Sequence, residues 1–221
     1  MVYIVEDQTD FSGDDMNMLC QYLPDSRKKR AYSYLREKDR NNCIISYFLL
    51  MYGMMKEYGI RSLPELAAGK YGKPYLPGID VCFSISHSDV SVCCGISADN
   101  IGVDIQEREN DFESIADMVM SENEKRIIRF SDDPVSEFTR FWTLKESICK
   151  YRGTGLTNDI DRIDFCDCNE EEFIFDGLLF RCEKRENYCI SACSENTFPV
   201  FVTKEPSEYI SDYLRMINNL K

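Results

Sequence analysis

The sequence predicts an α+β fold, and two observations carry that expectation. Helical and strand patterns come in runs instead of alternating strictly, and the passage from helices to short strands happens twice along the chain. A doubly wound parallel sheet would show strand and helix in turn throughout. No Ser/Gly linker, low-complexity stretch or short-period repeat marks a flexible boundary between the two passages.

Element by element, residues 2–5 alternate weakly and read as a strand, and Asp14 or Asp15 opens a helix to about Tyr22. Pro24 and Ser26 introduce a basic helix. A nearly all-apolar helix from about Asn41 to Tyr58 follows, and Gly59 ends it. The segment 69–78 is rich in turn residues. Residues 81–86, 90–96 and 101–105 then read as three short strands with tight connections. Helices are expected over 112–120, 122–130 and 135–151, the last stopped by Gly153-Thr154-Gly155. Beyond it, 160–165, 173–180, 188–192 and 199–203 read as strands, before a short helix near 209–218.

At 221 residues, 43% of them hydrophobic and 29% charged, the chain can bury a substantial core. Its N-terminus lacks a basic region and its first apolar stretch stops after five residues, against a signal peptide. The longest apolar run, about Cys43 to Met55, falls short of the roughly 18–20 residues that span a bilayer. A cytoplasmic protein with no membrane partner is expected. Eleven cysteines, an odd number with no CxxC pair, read as reduced thiols packed as small hydrophobes. The net charge of −13 argues against nucleic acid as a partner. Within that acidic chain, residues 25–40 hold seven basic side chains against three acidic ones. Such a concentration is either a solvated helix face or a local anion site.

Three apparent motifs fail. In Gly69-Lys70-Tyr71-Gly72-Lys73-Pro74 a proline stands where a phosphate loop needs a hydroxyl. Gly153-Thr154-Gly155 lacks the third glycine of a dinucleotide fingerprint. Ser86-His87-Ser88 has no G-x-S-x-G elbow around it. Four features survive. Asp104 ends an apolar strand, as a turn residue or a metal ligand would. Glu146 and Lys150 share a helix face at i, i+4, as an ion pair or as part of a site. His87 is the only histidine, among Ser84, Ser86 and Ser88. The basic stretch from Arg27 offers anion donors. Together they are what phosphoryl transfer asks of a protein, namely positioning, carboxylates for a metal, and cations where charge builds up.

Tyr71-Gly72-Lys73-Pro74, Phe83-Ser84-Ile85-Ser86-His87-Ser88, Ile101-Gly102-Val103-Asp104-Ile105 and the long block from Phe141 to Leu156 resemble signature blocks of the surfactin-synthetase-activating (group II) 4′-phosphopantetheinyl transferases, in order and in spacing. The long W-x-x-K-E-[SA]-x-x-K-x-x-G-x-G-L block is the specific one. The resemblance implies two similar α+β halves, 1–99 and 100–221, packed with pseudo-twofold symmetry in one monomeric unit, with coenzyme A in the cleft between them. It implies transfer of phosphopantetheine to a serine of an apo acyl or peptidyl carrier protein, with Mg²⁺ (or Mn²⁺) as cofactor. Asp104 and Glu146 would ligand the metal. Glu146 would also help deprotonate the serine, and Lys150 would assist departure of 3′,5′-ADP. Lys145 would be a second cation, Ser86 and His87 would hold phosphate oxygens, Arg27 and Arg30 would meet the 3′-phosphate, and Lys73 the nucleotide end.

One departure touches the mechanism. The family usually has Asp-x-Glu in the strand block, where this chain has Asp104-Ile105-Gln106. Period two puts Gln106 on the face of Asp104 and turns Glu107 away. A glutamine carbonyl would ligand the metal more weakly or through water, and Glu124 is the acidic residue expected to compensate. The alternative reading is a non-catalytic module that binds coenzyme A or a carrier protein through a degenerate metal site. Because acidic carrier proteins would be repelled by an acidic enzyme, docking is expected on a local patch around Met118 to Phe130, with Lys125, Arg126 and Arg129.

Overall fold

A computed structural model describes residues 1–157 and 159–218. The chain opens with β1 (Val2–Val5), α1 (Gly13–Tyr22), α2 (Asp25–Ser33) and α3 (Glu37–Tyr58). It continues through the two-residue strands β2 (Ala67–Ala68) and β3 (Pro74–Tyr75) to β4 (Cys82–His87), β5 (Val92–Ser97) and β6 (Ile101–Glu107). Then come α4 (Glu113–Val119), α5 (Glu122–Phe130) and α6 (Pro134–Arg152), a hairpin of β7 (Glu172–Phe175) and β8 (Leu178–Lys184), β9 (Tyr188–Ser194), β10 (Phe201–Thr203) and α7 (Pro206–Asn218). The α+β class holds.

Local chemistry accounts for the helix ends. Ser12 with Asp15, and Ser121 with Glu124, form capping boxes on α1 and α5. Asp133 accepts from Ser136 N at the head of α6, where Pro134 costs no hydrogen bond. Gly59 and Gly153 close α3 and α6 in the left-handed conformation, at φ 66° and 65°.

Two four-stranded sheets form, in the orders β10-β1-β5-β4 and β6-β9-β8-β7. Period two divides each sheet's side chains. Tyr3, Val5, Phe83, Cys94 and Ile96 join the α3 core, while Val2, Ile4 and Cys93 face the other sheet and pack with Ile101, Val103, Ile105, Ile190 and Ala192. The far side of the second sheet meets α6, where Phe141, Leu144 and Ile148 pack with Phe180 and Cys193. The order is therefore helix, sheet, sheet, helix. An apolar α3 buried nearly all round fits this arrangement, because the first sheet, α1, α2 and α7 surround it.

Three expectations need correction. The basic segment is not one helix but breaks after Ser33, and α3 begins at Glu37, four residues ahead of Asn41. Residues 160–165 form no strand but a 3-10 turn at Ile160–Arg162, because their polar groups find partners in a buried ion pair described below. Residues 173–180 are two strands, reversed at Asp176-Gly177, both with positive φ (50° and 75°), the geometry that a tight hairpin requires. The last segment also crosses over. β10 pairs in parallel with β1, and the Tyr209 hydroxyl of α7 donates to the Ile4 and Val202 carbonyls, so residues 201–218 lie with the first half although they follow residue 100.

Candidate active site

Asp104 reaches the site through a close approach of backbone to backbone. A Cβ on Gly102 would lie 2.0 Å from Ser147 O and 2.5 Å from Tyr151 N, so only glycine lets β6 settle this deeply on α6. Two residues on, Asp104 points the same way. Its Oδ1 is 2.7 Å from Lys150 Nζ and accepts from Ser86 Oγ at 2.7 Å, and the same hydroxyl accepts from Lys150 Nζ at 2.7 Å. Asp104 is only 5% exposed, yet among the described residues its Oδ2 has no partner. A buried carboxylate oxygen left bare is costly, and it marks a place where a cation or donor would be welcome.

Glu146 lies one turn before Lys150 on α6. Burial pushes its carboxyl pKa up, Asp104 adds to that, and Lys150 opposes it. Burial alone would lower the Lys150 ammonium, but Asp104 and then Glu146 hold it above the ordinary lysine value. His87 opens to the cleft on one face. Desolvation on its other side, then the neighbouring Lys150 charge, lower its pKa and keep the ring neutral at pH 7. The carboxylates, the amine and the imidazole thus share one neighbourhood.

Period two makes β4 serve two sides. Ser84 and Ser86 face the second half, where Ser84 Oγ accepts from Val103 N at 3.2 Å. Ile85 and His87 face α3 and line a cleft of about 430 Å³ with Arg27, Arg30, Tyr34, Asp39 and Cys43. Arg27 stacks over Tyr47 at 4.9 Å and its Nε is buried without a partner among the described residues. A second recess of about 230 Å³, lined by Phe83, Glu146, Cys149, Lys150 and Gly153, shares Gly72, Pro74 and Ile85 with the first. One groove therefore runs from the arginines to Glu146.

Four residues do not sit as the sequence suggested. Lys145 and Glu124 are fully buried and joined at 2.9 Å. Lys145 also donates to the Ile160 and Ile163 carbonyls, and Glu124 accepts from Phe165 N and Ser121 N. This pair braces segment 160–165 against α5 and α6, and with both side chains fully buried it lines neither recess of the groove. Lys73 turns its ammonium onto Asn100 Oδ1, Ile101 O and Tyr151 O (2.8, 3.0 and 3.3 Å), stapling the two halves instead of facing a nucleotide. The Ser86 hydroxyl is committed to Asp104 and Lys150 and is not free for a phosphate. Gln106 is half-buried and its amide lies 3.5 Å from Glu109.

Asn42 was missed. It donates to Ser88 O at 2.8 Å, lies 3.4 Å from His87 Nδ1, and leaves its own Oδ1 buried and unpartnered among the described residues. A polar residue opening an otherwise apolar helix was the signal that could have found it.

A buried ammonium–carboxylate cluster beside an arginine-lined groove defines an anion-handling cleft of the kind that phosphoryl transfer uses. The family model of the 4′-phosphopantetheinyl transferase superfamily matches residues 100–202, which contain Asp104, Glu146 and Lys150. A 4′-phosphopantetheinyl transferase of Bacillus subtilis is 29% identical over 154 residues, covering 68% of each chain. The 4′-phosphopantetheinyl transferase gsp of Aneurinibacillus migulanus is 27% identical over 188 residues, 80% of this chain and 78% of its own. The L-aminoadipate-semialdehyde dehydrogenase-phosphopantetheinyl transferase of Saccharomyces cerevisiae is 30% identical over 182 residues, 74% of this chain and 66% of its own. The chain belongs to the 4′-phosphopantetheinyl transferase superfamily.

Proposed function

We propose that the protein transfers the 4′-phosphopantetheine moiety of coenzyme A to a serine of an apo acyl or peptidyl carrier protein, releasing 3′,5′-ADP. The observation that carries this reading is the position of Lys150, 2.7 Å from both Asp104 and Ser86, one turn from Glu146 and at the end of the arginine-lined groove. Arg27 and Arg30 take the 3′-phosphate, and His87 donates to a phosphate oxygen. The serine oxygen attacks the β-phosphorus in line. The bond from that phosphorus to the bridging oxygen breaks, and the electron pair leaves with 3′,5′-ADP, whose charge Lys150 offsets. Glu146 takes the serine proton, and its raised pKa suits it to that task.

The donor set fits a divalent cation, magnesium or manganese. Magnesium asks for one or two carboxylates and fills its octahedron with phosphate oxygens and water. Asp104, with its bare Oδ2, and Glu146 would hold it, with the Gln106 carbonyl as a weaker or water-bridged third donor. When bound, the ion supplies positive charge along the pyrophosphate. Among the described residues no group of three or more His, Cys, Asp and Glu side chains forms a ready cage, so substrate phosphates have to complete the site.

The carrier protein docks on a groove of about 280 Å³ lined by Phe112, Ala116, Ile128, the basic Lys125 and Arg129 and the acidic Glu113 and Asp117, flanked by the exposed Ile115, Met118 and Phe130. The exposed apolar groups supply contact area, and Lys125 and Arg129 balance Glu113 and Asp117, so the patch is less repulsive to an acidic partner than the rest of an acidic chain. Alanine at Lys125 and Arg129 should raise KM for the carrier and leave KM for coenzyme A alone. Gln106 favours a second reading, a binding module that transfers nothing. Mass spectrometry of an apo carrier protein incubated with coenzyme A and Mg²⁺ separates the two. A gained phosphopantetheine mass supports the enzyme, and an unchanged mass across a panel of apo carriers would overturn it.

A further inference from the structure

We infer that Glu107 is a positioning residue for His87, an inference that rests on the transfer reaction proposed above. Glu107 ends β6, one residue past the Gln106 substitution, and points to the opposite face from Asp104. There its carboxylate gathers four donors from the turn that follows His87. Oε1 accepts from Ser88 Oγ (2.5 Å), Val90 N (2.7 Å) and Ser91 N (3.1 Å), and Oε2 accepts from Asp89 N (3.0 Å). Three successive backbone amides and a hydroxyl converging on one carboxylate form an anion nest, filled here by the protein itself.

The same turn is gripped from other sides. Lys38 of α3 pairs with Asp89 at 2.5 Å, and Asn42 of α3 donates to Ser88 O and lies against His87 Nδ1. Gln8 holds Asp89 O and Val90 O, and Ser91 Oγ donates to Glu6 O. All of those clamps belong to the first half. Glu107 comes from β6 of the second half, the strand that also delivers Asp104. Ser84 and Ser86 tie β4 to β6 at Val103 and Asp104, and Glu107 adds the tie beyond His87, so it helps to fix the imidazole in the arginine cleft relative to the carboxylate beside Lys150. A phosphate-holding His87 and an Asp104 on opposite halves have to keep a fixed separation for one pyrophosphate to meet both.

His87 is the only histidine, so its ring gives a single set of NMR signals in the full chain. In the wild-type protein these signals should be sharp and should shift when coenzyme A is added. In Glu107→Ala they should move and broaden without ligand. KM for coenzyme A should rise roughly tenfold, the worth of one misplaced hydrogen bond to a charged group, while KM for the carrier protein holds. Glu107→Gln, which keeps an acceptor oxygen for the Val90 and Ser91 amides, should recover most of both losses. If Glu107→Ala does not fold, Glu107→Asp replaces it, one methylene too short for all four donors, and should shift the ring signals in the same direction. A folded Glu107→Ala or Glu107→Asp protein with wild-type ring signals and wild-type KM for coenzyme A would overturn the inference. A wild-type chain that transfers nothing would defeat the proposed function, and the ring signals would still decide whether Glu107 holds the turn.

Discussion

Helix α6 carries two lysines five residues apart, both inside the long signature block, and each meets a carboxylate at similar range: Lys145 to Glu124 at 2.9 Å and Lys150 to Asp104 at 2.7 Å. The first pair is wholly buried, and its spare donors and acceptors end on the Ile160, Ile163, Phe165 and Ser121 backbone. The second borders a groove and keeps one carboxylate oxygen bare among the described residues. Satisfied polar groups in a core specify structure, and an unsatisfied one at a cleft invites a ligand. Membership of one motif does not give two residues one role.

The contrast breaks first under truncation. Lys145→Ala strands the Glu124 charge in the core and should destabilise the fold by about 3–5 kcal/mol, whereas replacing both partners with apolar residues of similar volume should cost far less. Urea unfolding of the single and double variants checks this, and an unaffected Lys145→Ala protein would erase the distinction. Lys150→Ala and Glu146→Gln should do the reverse. Transfer should fall by roughly 10²–10³-fold or more; Glu146→Gln should leave the unfolding midpoint nearly unchanged, and Lys150→Ala, which strands Asp104 at the edge of the groove, should lower it by less than Lys145→Ala does, as steady-state kinetics beside thermal melts would show.

Gly102→Ala tests whether the second pair depends on how closely β6 approaches α6. The new methyl meets backbone at 2.0 Å, which side-chain motion cannot relieve, so a loss of about 1–3 kcal/mol of stability should accompany a fall in transfer. Retained activity with retained stability would show that the site tolerates a wider gap. The smallest effect belongs to Glu137, a partly buried carboxylate shared between Arg140 and the more exposed Lys184. Burial would raise the Glu137 carboxyl, but Lys184 and Arg140 outweigh it and hold its pKa below the ordinary value. A depressed folded pKa means that the contribution is present above the unfolded glutamate pKa of about 4.3 and is lost as pH falls through the folded one. Glu137→Gln should therefore cost under about 1 kcal/mol near pH 7, and the gap from wild type should narrow and then close as pH falls through the lowered folded pKa, in matched unfolding curves.

Much of this site was legible from residue order. Asp104, Glu146, Lys150, His87 and the arginines of α2 were all named from the sequence; all but Asp104 line one groove, and Asp104 lies behind it, bonded to Lys150. The errors share a cause. Lys145, Glu124, Lys73 and Ser86 are polar residues in or beside signature blocks, and a sequence does not record whether such a side chain faces a ligand or a carbonyl across the core. Residues 160–165 misled for the same reason, since a stretch with apolar residues at 160, 163 and 165 reads as a strand until the partner for its backbone is known.

Patterning by itself determined the fold class, most of the helices and the glycines that end two of them, the strand faces that set Asp104 apart from Glu107, and the family. Those properties depend on neighbours within a few residues, where period and steric preference act. Tertiary structure alone decided which of two lysines is an interior brace and which borders the cleft. It also decided that Lys73 staples the halves and that Glu107 reaches across to the turn beside His87. Each of those outcomes turns on which buried donors find acceptors from distant parts of the chain, and that balance exists only once the sheets and helices have packed.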